Sequence, residues 1–276
     1  MTRKSILITG CSSGIGYASA HMLHRRGWQV FASCRKEADC ARLVSEGLAS
    51  PLIDYEAPQT IESGLAEVLE ATGGTLDAVF NNGAYGVPGA VEDLPTDALR
   101  AIFEANFFGY HDLTRRVIPV MRAQGHGHIV QCSSVLGFVT LPWRGAYNAT
   151  KFALEGLTDT LRIEMQGTGI NVVLIEPGPI KTKIRENSIP HFERWIDWQN
   201  AARREDYEAG LLKRLYEEGA PDRFELEAEA VAEKLWQALE DDTPRARYMV
   251  TTPTYLMAVL KRVLPTRLLD SILARA

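Results

Sequence analysis

The fold is decided by the stretch Ser5-Ile6-Leu7-Ile8-Thr9-Gly10-Cys11-Ser12-Ser13-Gly14-Ile15-Gly16, near the start of the chain. Its apolar first half predicts a buried strand, and the glycines after it predict a tight turn that opens a helix. Free N–H groups and the helix dipole at such a turn attract the pyrophosphate of a dinucleotide. Because strand, turn and helix follow in this order, we interpret the turn as a dinucleotide site rather than a plain turn. The residues expected to contact the pyrophosphate are Gly10, Ser12, Ser13, Gly14, Ile15 and Gly16.

Outward from this turn, short β-rich runs alternate with longer helical patterns. The predicted strands cover residues 5–9, 29–33, 50–54, 76–80, 128–132, 171–175 and 247–250. The predicted helices cover residues 14–26, 59–72, 96–124, 147–167 and 225–239. Several strands are nearly continuous apolar runs, which is typical of strands covered by helices on both faces. The alternation therefore predicts an α/β fold, with a doubly wound parallel β-sheet in a Rossmann-type single domain over residues 1–252.

The texture of the chain changes after Pro177. Residues 183–224 are charged and aromatic, and a segment this long between core elements predicts a helical substrate loop. Residues 253–276 form a C-terminal extension that Pro265 divides into two amphipathic pieces. Three roles for this tail stay open: packing against the body or a partner subunit, reversible contact with a membrane surface, or a lid over the pocket.

Composition limits the classes of function. A formal net charge of −5 over 276 residues gives no support for a nucleic-acid partner, which would favour a basic surface. The four cysteines have neither metal-ligand nor disulfide-scaffold spacing, and the histidines show no ligand pattern, so we expect no metal. No signal peptide precedes the first strand, and no apolar run is long enough to cross a bilayer. We therefore expect a cytoplasmic protein, with membrane association through the tail as the alternative.

The end of the second predicted strand selects the dinucleotide. An NAD site would place Asp or Glu there for the ribose hydroxyls, whereas an arginine suits the 2′-phosphate of NADP. The strand ends Ala32-Ser33-Cys34-Arg35-Lys36, with no acid in place and two cations following. A solvated arginine at a strand end would explain Arg35 but not the missing acid. We therefore predict NADP(H) as the cofactor, with the planar guanidinium of Arg35 on the phosphate.

A tyrosine and a lysine one helical turn apart offer acid–base chemistry. Tyr147 and Lys151 are spaced i, i+4, which places them on one face of a predicted helix. A phenol with a pKa near about 10 exchanges protons poorly at neutral pH, and a nearby ammonium favours the phenolate. Ser134 follows a predicted strand, at the edge where parallel sheets bind ligands, and could hold a substrate oxygen beside Tyr147. Taken singly, the pair is common by chance and the serine is ordinary turn chemistry.

Together these motifs resemble the short-chain dehydrogenase/reductase superfamily, in the subgroup that carries Thr-Gly-x-x-x-Gly-x-Gly and Tyr-x-x-x-Lys. The resemblance extends from Ser5 to about Thr182. The matching positions are Thr9 to Gly16, Asp54, Asn81-Asn82-Gly83-Ala84, Asn106, Ser134, Tyr147 with Lys151, and Pro177-Gly178 through Thr182. The family usually has Ala-Gly where this chain has Gly83-Ala84, and this departure predicts a local adjustment of the backbone.

The resemblance implies a role for each matching residue. Tyr147 would transfer the proton, Lys151 would lower the pKa of Tyr147 and bind the nicotinamide ribose, and Ser134 would orient the substrate oxygen. Asn106 would support the proton relay from within its helix. The implied cofactor contacts are Asp54 with the adenine, Asn81 and Gly83 in the cleft, and Pro177, Gly178, Ile180 and Thr182 at the nicotinamide carboxamide.

Within the superfamily, the glycine motif and the sequence Lys151-Phe152-Ala153-Leu154-Glu155-Gly156 resemble the hydroxysteroid and retinol dehydrogenase branch, and look closer still to bacterial NADP-dependent aldehyde reductases of that branch. The resemblance implies hydride transfer between NADP(H) and an apolar aldehyde or ketone, or the corresponding alcohol. It also implies a homodimer or homotetramer that pairs through residues 107–124 and 147–167. The expected pocket residues are Leu136, Trp143, Phe192 and Trp195, each of which could instead be an ordinary core or subunit contact.

Two functions without hydride transfer are the alternatives. One is an NADP(H)-binding sensor that keeps the fold, and the other is a lipid-binding protein with vestigial activity. Neither needs the catalytic positions, whereas this chain keeps all four of them: Asn106, Ser134, Tyr147 and Lys151. The pattern therefore favours an enzyme.

Overall fold

Short apolar runs form the strands of one parallel sheet. The computed structural model describes residues 3–217 and 224–274. The strands are β1 (Ser5–Ile8), β2 (Gln29–Ala32), β3 (Ala78–Asn81), β4 (Gly127–Cys132), β5 (Ile170–Pro177) and β6 (Arg247–Val250). Their order in the sheet is β2-β1-β3-β4-β5-β6, and every neighbouring pair is parallel.

Helices connect the strands. They are α1 (Gly14–Arg25), α2 (Glu37–Ser45), α3 (Pro58–Thr72), α4 (Thr96–Phe103), α5 (Gly109–Gln124), α6 (Gly145–Glu164), α7 (Ile184–Trp195), α8 (Arg204–Asp206), α9 (Leu212–Tyr216), α10 (Glu229–Glu240), α11 (Thr252–Val263) and α12 (Thr266–Leu273). Local sequence explains several of their ends. Pro58 occupies the first turn of α3, where no N–H is needed, and Gly73 and Gly125 end α3 and α5 in the left-handed conformation.

The sheet buries both of its faces, because neighbouring residues of a strand point in opposite directions. Ile6 packs on one face against Leu23 of α1 and Leu235 of α10. Leu7 packs on the other face with Leu113 of α5, in a cluster that also contains residues of α3 and α6. This confirms the prediction of a doubly wound parallel sheet.

The predicted strand over residues 50–54 does not form. Ala49 and Leu52 make only isolated bridges, with Phe31 and Cys34 respectively. Pro51 lies between them and has no N–H to donate, so a regular ladder cannot continue through this point. The described residues therefore contain six strands in place of the seven predicted.

The predicted helix over residues 96–124 is interrupted. A π-type turn, Glu104–Phe108, separates α4 from α5 and contains Asn106. The Asn106 amide donates to the Tyr85 carbonyl at 2.9 Å and accepts from the Tyr85 N–H at 3.1 Å. Single π turns inside helices frequently occur at functional sites, and this one turns Asn106 toward the segment that follows β3.

The segment after β5 is largely helical. It contains α7, a short 3-10 turn at Trp198–Asn200, α8, a π-type turn at Tyr207–Leu211, and α9. Phe192 and Tyr207 are fully buried in a cluster that also includes Tyr85 and Ile102 of the main body. Residues 218–223 of the predicted substrate loop lie outside the described residues.

The C-terminal tail forms α11 and α12, on either side of Pro265. One face of the pair packs against the body, where Leu269 and Leu273 join Val139 from the loop that follows Ser134. The other face leaves large apolar side chains exposed: Tyr255, Leu256, Val259, Val263, Leu268 and Ile272. Of the three roles open for the tail, packing against the body is therefore present for the inner face.

Candidate active site

The glycine turn between β1 and α1 is shaped by close backbone approach. Gly10 has a φ of 68°, and a Cβ there would lie 2.6 Å from the Gly83 Cα. A Cβ on Gly16 would collide with the Gly10 carbonyl oxygen. Gly14 has a φ of 58°, and a Cβ there would lie 3.1 Å from the Thr182 methyl carbon. Only glycines fit such a turn, and the bare backbone with its free N–H groups fits the pyrophosphate of a dinucleotide.

Asn82, rather than Asn81, supports this turn. The Asn82 side-chain amide donates to the Thr9 carbonyl at 3.1 Å, and the Asn82 N–H donates to the Thr9 hydroxyl at 2.9 Å. Asn81 is the last residue of β3 and its side chain is fully buried, with hydrogen bonds to Tyr55 and Thr114. The prediction that Asn81 lines the cofactor cleft is therefore corrected, because its side chain points into the core.

Arg35 follows β2 and is exposed. Within the described residues it makes no hydrogen bond or ion pair, so its guanidinium is available to a ligand. Arg35 also lies near a stacked pair of rings, since its charge lowers the pKa of His191 after the larger effect of burial. The rings of Tyr85 and His191 stack at 3.7 Å, which joins α7 to the segment after β3. Asp54 is half-buried, and its carboxylate accepts a hydrogen bond from the Glu56 N–H at 3.1 Å.

Tyr147 lies in the first turn of α6, and Ser134 lies beyond the end of β4. The Ser134 hydroxyl lies close enough to the Tyr147 phenol to lower the pKa of that phenol. Ser134 is held in place because its oxygen accepts from the Leu136 N–H at 3.1 Å. Burial raises the pKa of the Tyr147 phenol above its usual value, while the Ser134 hydroxyl and the charge of Arg144 oppose this rise. The structure thus brings together the tyrosine and the serine that the sequence singled out.

Lys151 lies one turn further along α6 and is almost fully buried. Its ammonium donates to the Cys132 carbonyl at 2.7 Å and stands 5.6 Å from the centroid of the Tyr147 ring. Burial lowers the pKa of Lys151 to about 8. We predicted that Lys151 lowers the pKa of Tyr147, and in the structure burial of the phenol dominates instead.

The expected pocket residues separate into two groups. Leu136, Trp143 and Trp195 are half-buried around the segment between Ser134 and α7. Phe192 is fully buried and packs beside Tyr207, so it is a core residue with no surface exposed to a substrate. At the far end of β5, Gly178 is pressed against the Thr251 hydroxyl, which leaves no space for a Cβ.

The described residues contain neither a cluster of metal ligands nor a helix that could span a membrane. No group of three or more His, Cys, Asp or Glu side chains is arranged to hold a metal ion in residues 3–217 and 224–274. In the same part of the chain, no helix is both long and apolar enough to cross a membrane. All four cysteines are buried and unpaired.

The sequence profile of the short chain dehydrogenase family matches residues 4–192 of the chain. The chain belongs to the short-chain dehydrogenase family. Because the matched region runs from β1 into α7, it includes the glycine turn together with Ser134, Tyr147 and Lys151.

Two relatives of this short-chain dehydrogenase cover nearly its whole length, and a third covers about two thirds of it. The uncharacterized oxidoreductase YbbO of Escherichia coli is 41% identical over 98% of this chain and 94% of the relative. The NADPH-dependent 3-dehydrocapnine reductase of Ornithobacterium rhinotracheale is 32% identical over 96% of this chain and 94% of the relative. Human retinol dehydrogenase 8 is 34% identical over 65% of this chain and 60% of that protein. These matches support the retinol dehydrogenase-like branch.

Solved structures agree with this placement of the dehydrogenase. A short-chain dehydrogenase from Streptomyces avermitilis superposes with a TM-score of 0.76 at 26% identity, over 98% of this chain and 94% of that one. The Rossmann-type fold of the family member described here is therefore confirmed.

Behind the site of this dehydrogenase lies an ionic cluster that sequence reasoning missed. Arg247 of β6 donates to Glu176 at 2.9 Å, to Glu155 at 3.1 Å and to Asp159 at 2.6 Å. Glu155 is one turn after Lys151, and Glu176 directly precedes Pro177. Burial and the charge of Glu155 raise the pKa of Glu176 to about 8. No local sequence motif predicts this cluster, because its members come from β5, β6 and α6, which come together only in the folded protein.

Proposed function

We propose that this chain is an NADP(H)-dependent oxidoreductase that transfers a hydride between the cofactor and an apolar aldehyde or ketone, or the corresponding alcohol. The observation that carries the proposal is the proximity of the Tyr147 and Ser134 hydroxyls beyond the carboxyl end of β4, in a family member with an intact glycine turn. In open parallel sheets, ligands bind at this edge, so cofactor and substrate would meet beside the phenol.

The chain itself supplies orientation and proton transfer. When bound, the nicotinamide cofactor supplies or accepts the hydride. In the direction of reduction, the Tyr147 O–H bond breaks and its proton goes to the substrate oxygen, while Ser134 donates a hydrogen bond to the same oxygen. The Lys151 ammonium stabilises the phenolate that this transfer leaves behind. In the direction of oxidation, the phenolate takes the proton back from the alcohol.

The preference for NADP(H) over NAD(H) is supported by Arg35 and by the missing acid at the end of β2. A relative that covers nearly the whole chain is named as NADPH-dependent, which agrees with this preference. An Arg35→Ala variant should bind NADPH at least about 10-fold more weakly, since a charge-assisted pair with the phosphate is lost. NADH binding by the same variant serves as the control and should stay unchanged. Equal NADPH affinity in variant and wild type would refute the assignment.

An apolar substrate is supported by the side chains around Tyr147. Trp143 and Trp195 pack in the same apolar cluster as Tyr147. Phe192 and Tyr207 are buried in that cluster, and Leu136 is half-buried two residues after Ser134. Ligand pockets are lined mainly by such groups, with a few polar atoms that fix orientation. Medium- and long-chain aldehydes, retinoids and steroids therefore form the panel to be tested first.

The test of the proposed function follows oxidation of NADPH and, separately, of NADH with a panel of apolar aldehydes and ketones. Tyr147→Phe removes only the hydroxyl, and it should lower the rate by about 10²–10⁴-fold while NADPH binding persists. Ser63→Ala, on the exposed side of α3, is the matched control for the loss of one hydroxyl and should keep full activity. Tight NADPH binding without turnover of any carbonyl compound would favour the sensor alternative.

We further propose that the outer face of the tail contacts an anionic membrane surface. Leu256, Val259 and Leu268 are exposed, and Lys261 and Arg262 lie beside them. Interfacial helices combine such an apolar face with flanking cations. Val259→Glu should reduce cosedimentation with anionic liposomes, whereas Val44→Glu should not, although the two valines are 56% and 58% exposed respectively. Equal cosedimentation of the two variants would refute this contact.

We propose a homodimer or homotetramer that pairs through α5 and α6. Phe108, Phe152 and Ile163 expose apolar surface at the start of α5 and along α6, which is typical of subunit contacts. Ile163→Glu, at a position that is 64% exposed, should shift the sedimentation coefficient toward that of a monomer. An unchanged coefficient would place the contact elsewhere.

A further inference from the structure

Arginines from the three elements that surround the substrate side of Tyr147 lie close together. Arg144 precedes α6, Arg185 lies in the first turn of α7, and Arg214 lies in α9. Burial and, to a smaller extent, the charges of Arg214 and Arg185 lower the pKa of Arg144 to about 10. The Arg144 charge in turn acts on the Tyr147 phenol. Arg144 and Arg185 therefore place positive charge near the proton-transferring group.

The backbone that carries Arg144 is fixed in a strained conformation. Trp143 has a φ of 65°, in the left-handed region that a bulky side chain rarely adopts. Its carbonyl accepts from the Gly89 N–H at 3.0 Å, and its ring packs 4.7 Å from the ring of Tyr207. The Tyr207 hydroxyl accepts from the Ala90 N–H at 2.8 Å. Such strain persists only where the surroundings hold it, and it is concentrated at functional sites.

Neither Arg144 nor Arg185 forms an ion pair within the described residues. Two other arginines of the substrate loop are paired: Arg204 with Glu208 at 2.9 Å, and Arg203 with Asp206 at 2.9 Å. Half-buried cations without a counter-charge are costly, and that cost is removed when an anion binds between them.

We propose that Arg144, with Arg185 beside it, binds an anionic group of the substrate, so that the substrate is an apolar-chain carbonyl compound with a carboxylate or similar oxyanion a few bonds from the carbonyl carbon. Arginine suits this task because its planar fork donates two parallel hydrogen bonds to an oxyanion. The short separation follows from the chain, since Arg144 is three residues before Tyr147 and its carbonyl accepts the Asn148 N–H at 2.8 Å. The inference rests on the proposed function, because Tyr147 and Ser134 position the carbonyl.

The experiment compares 4-oxotetradecanoate with its methyl ester, which differ only in charge near the ketone. The wild-type enzyme should reduce the acid with a kcat/KM about 10- to 100-fold higher than the ester, as expected for a charge-assisted hydrogen bond. Arg144→Met keeps most of the side-chain volume and should bring this ratio close to one, chiefly through KM. Arg204→Met removes a paired and exposed arginine of the substrate loop, and it should keep the wild-type ratio of kcat/KM for acid and ester. Thermal unfolding of both variants checks that they are folded.

The other outcomes separate the two proposals. Equal kcat/KM for acid and ester, or reduction of neither by an enzyme that does reduce decanal in a Tyr147-dependent way, overturns the anion site and leaves the proposed function standing. A rise in the KM for NADPH in Arg144→Met, with the ratio of acid to ester unchanged, shows that the cations serve a cofactor phosphate, which also overturns the proposal. If no carbonyl compound is reduced in a Tyr147-dependent way, the proposed function fails and the anion site fails with it.

Discussion

Removal of Arg247 tests the ionic cluster behind the active site. Its guanidinium forms ion pairs with three carboxylates, and two of them are nearly inaccessible to solvent. The side chains of Glu176 and Glu155 are 1% and 10% exposed. Arg247→Met keeps the apolar stem of the side chain but leaves these carboxyls without a cation. Breaking a buried ion pair by removing one partner costs about 3–5 kcal/mol, because the remaining charge is buried and uncompensated.

The expected loss is near the lower end of that range, about 3 kcal/mol, because Arg247 and Asp159 keep some contact with solvent. For a chain of this size, 1 kcal/mol corresponds to about 2–4 °C in Tm, so the expected fall is about 6–12 °C. Thermal unfolding followed by tryptophan fluorescence measures it directly.

The loss depends on pH, with a definite sign. Burial and Glu155 raise the pKa of Glu176 from 4.5 to about 8 in the folded wild type, and removal of Arg247 raises it further. A carboxyl with a raised folded-state pKa binds more protons in the folded than in the unfolded chain, so its contribution to stability falls as pH rises between these values. Arg247→Met should therefore lose more stability at pH 9 than at pH 6, where Glu176 stays protonated.

Arg100→Met is the matched control for this variant. Arg100 also forms an ion pair, with Asp97 at 2.7 Å, but the two side chains are 72% and 73% exposed. Exposed pairs contribute little, so the Tm of this variant should stay close to that of the wild type at both pH values. If Arg247→Met behaves like Arg100→Met, or if its loss is the same at pH 6 and pH 9, the reasoning about buried carboxylates is wrong.

Three further outcomes are expected. The kcat/KM for carbonyl reduction should fall as pH rises through about 8, where Lys151 loses its proton, and a profile that stays flat to pH 10 would contradict the role of its ammonium. Gly16→Ala should abolish NADPH binding in a fluorescence titration, because its Cβ would meet the Gly10 carbonyl. Gly156→Ala, in α6 with no atom near its Cβ, should instead raise stability by about 0.5–1 kcal/mol in urea unfolding, and a loss would show a constraint on α6 that the structure lacks.

Much of the fold was predictable, because its main signals are local. Apolar runs separated by helical patterns are sufficient to predict a parallel doubly wound sheet, and a glycine turn after the first run locates the cofactor edge. The prediction was wrong at residues 50–54, where a β-rich composition hides Pro51, and over 96–124, where one helical pattern contains a π-type turn. The π-type turn adds a single residue to a helical turn, and this hardly changes the periodicity of apolar residues. The sequence pattern therefore does not predict the interruption.

The candidate site was predictable only where side chains act through a motif. Ser134 and Tyr147 come together beyond the carboxyl end of β4, as expected. Asn81 was expected in the cofactor cleft, but its side chain lies in the core, and Asn82 contacts the glycine turn instead. The alternation of side chains along β3 decides which of the two asparagines faces the core. Predicting this requires the exact end of the strand. Arg144 and Arg247 were missed because each depends on charges that come from distant parts of the chain.

The burial of Phe192 and Tyr207 has a consequence for how substrates enter. A flap that swings on hinges must carry few core side chains, yet here the segment beyond β5 is anchored in the same cluster as α4 and α6. This wall of the cleft is thus preformed. Substrate selectivity then depends on shape complementarity to the preformed cleft rather than on closure of a loop around the substrate. The association rate constant of a substrate should then depend on solvent viscosity only through the diffusional encounter. A substrate that is one ring wider than the cleft should not bind, instead of binding slowly.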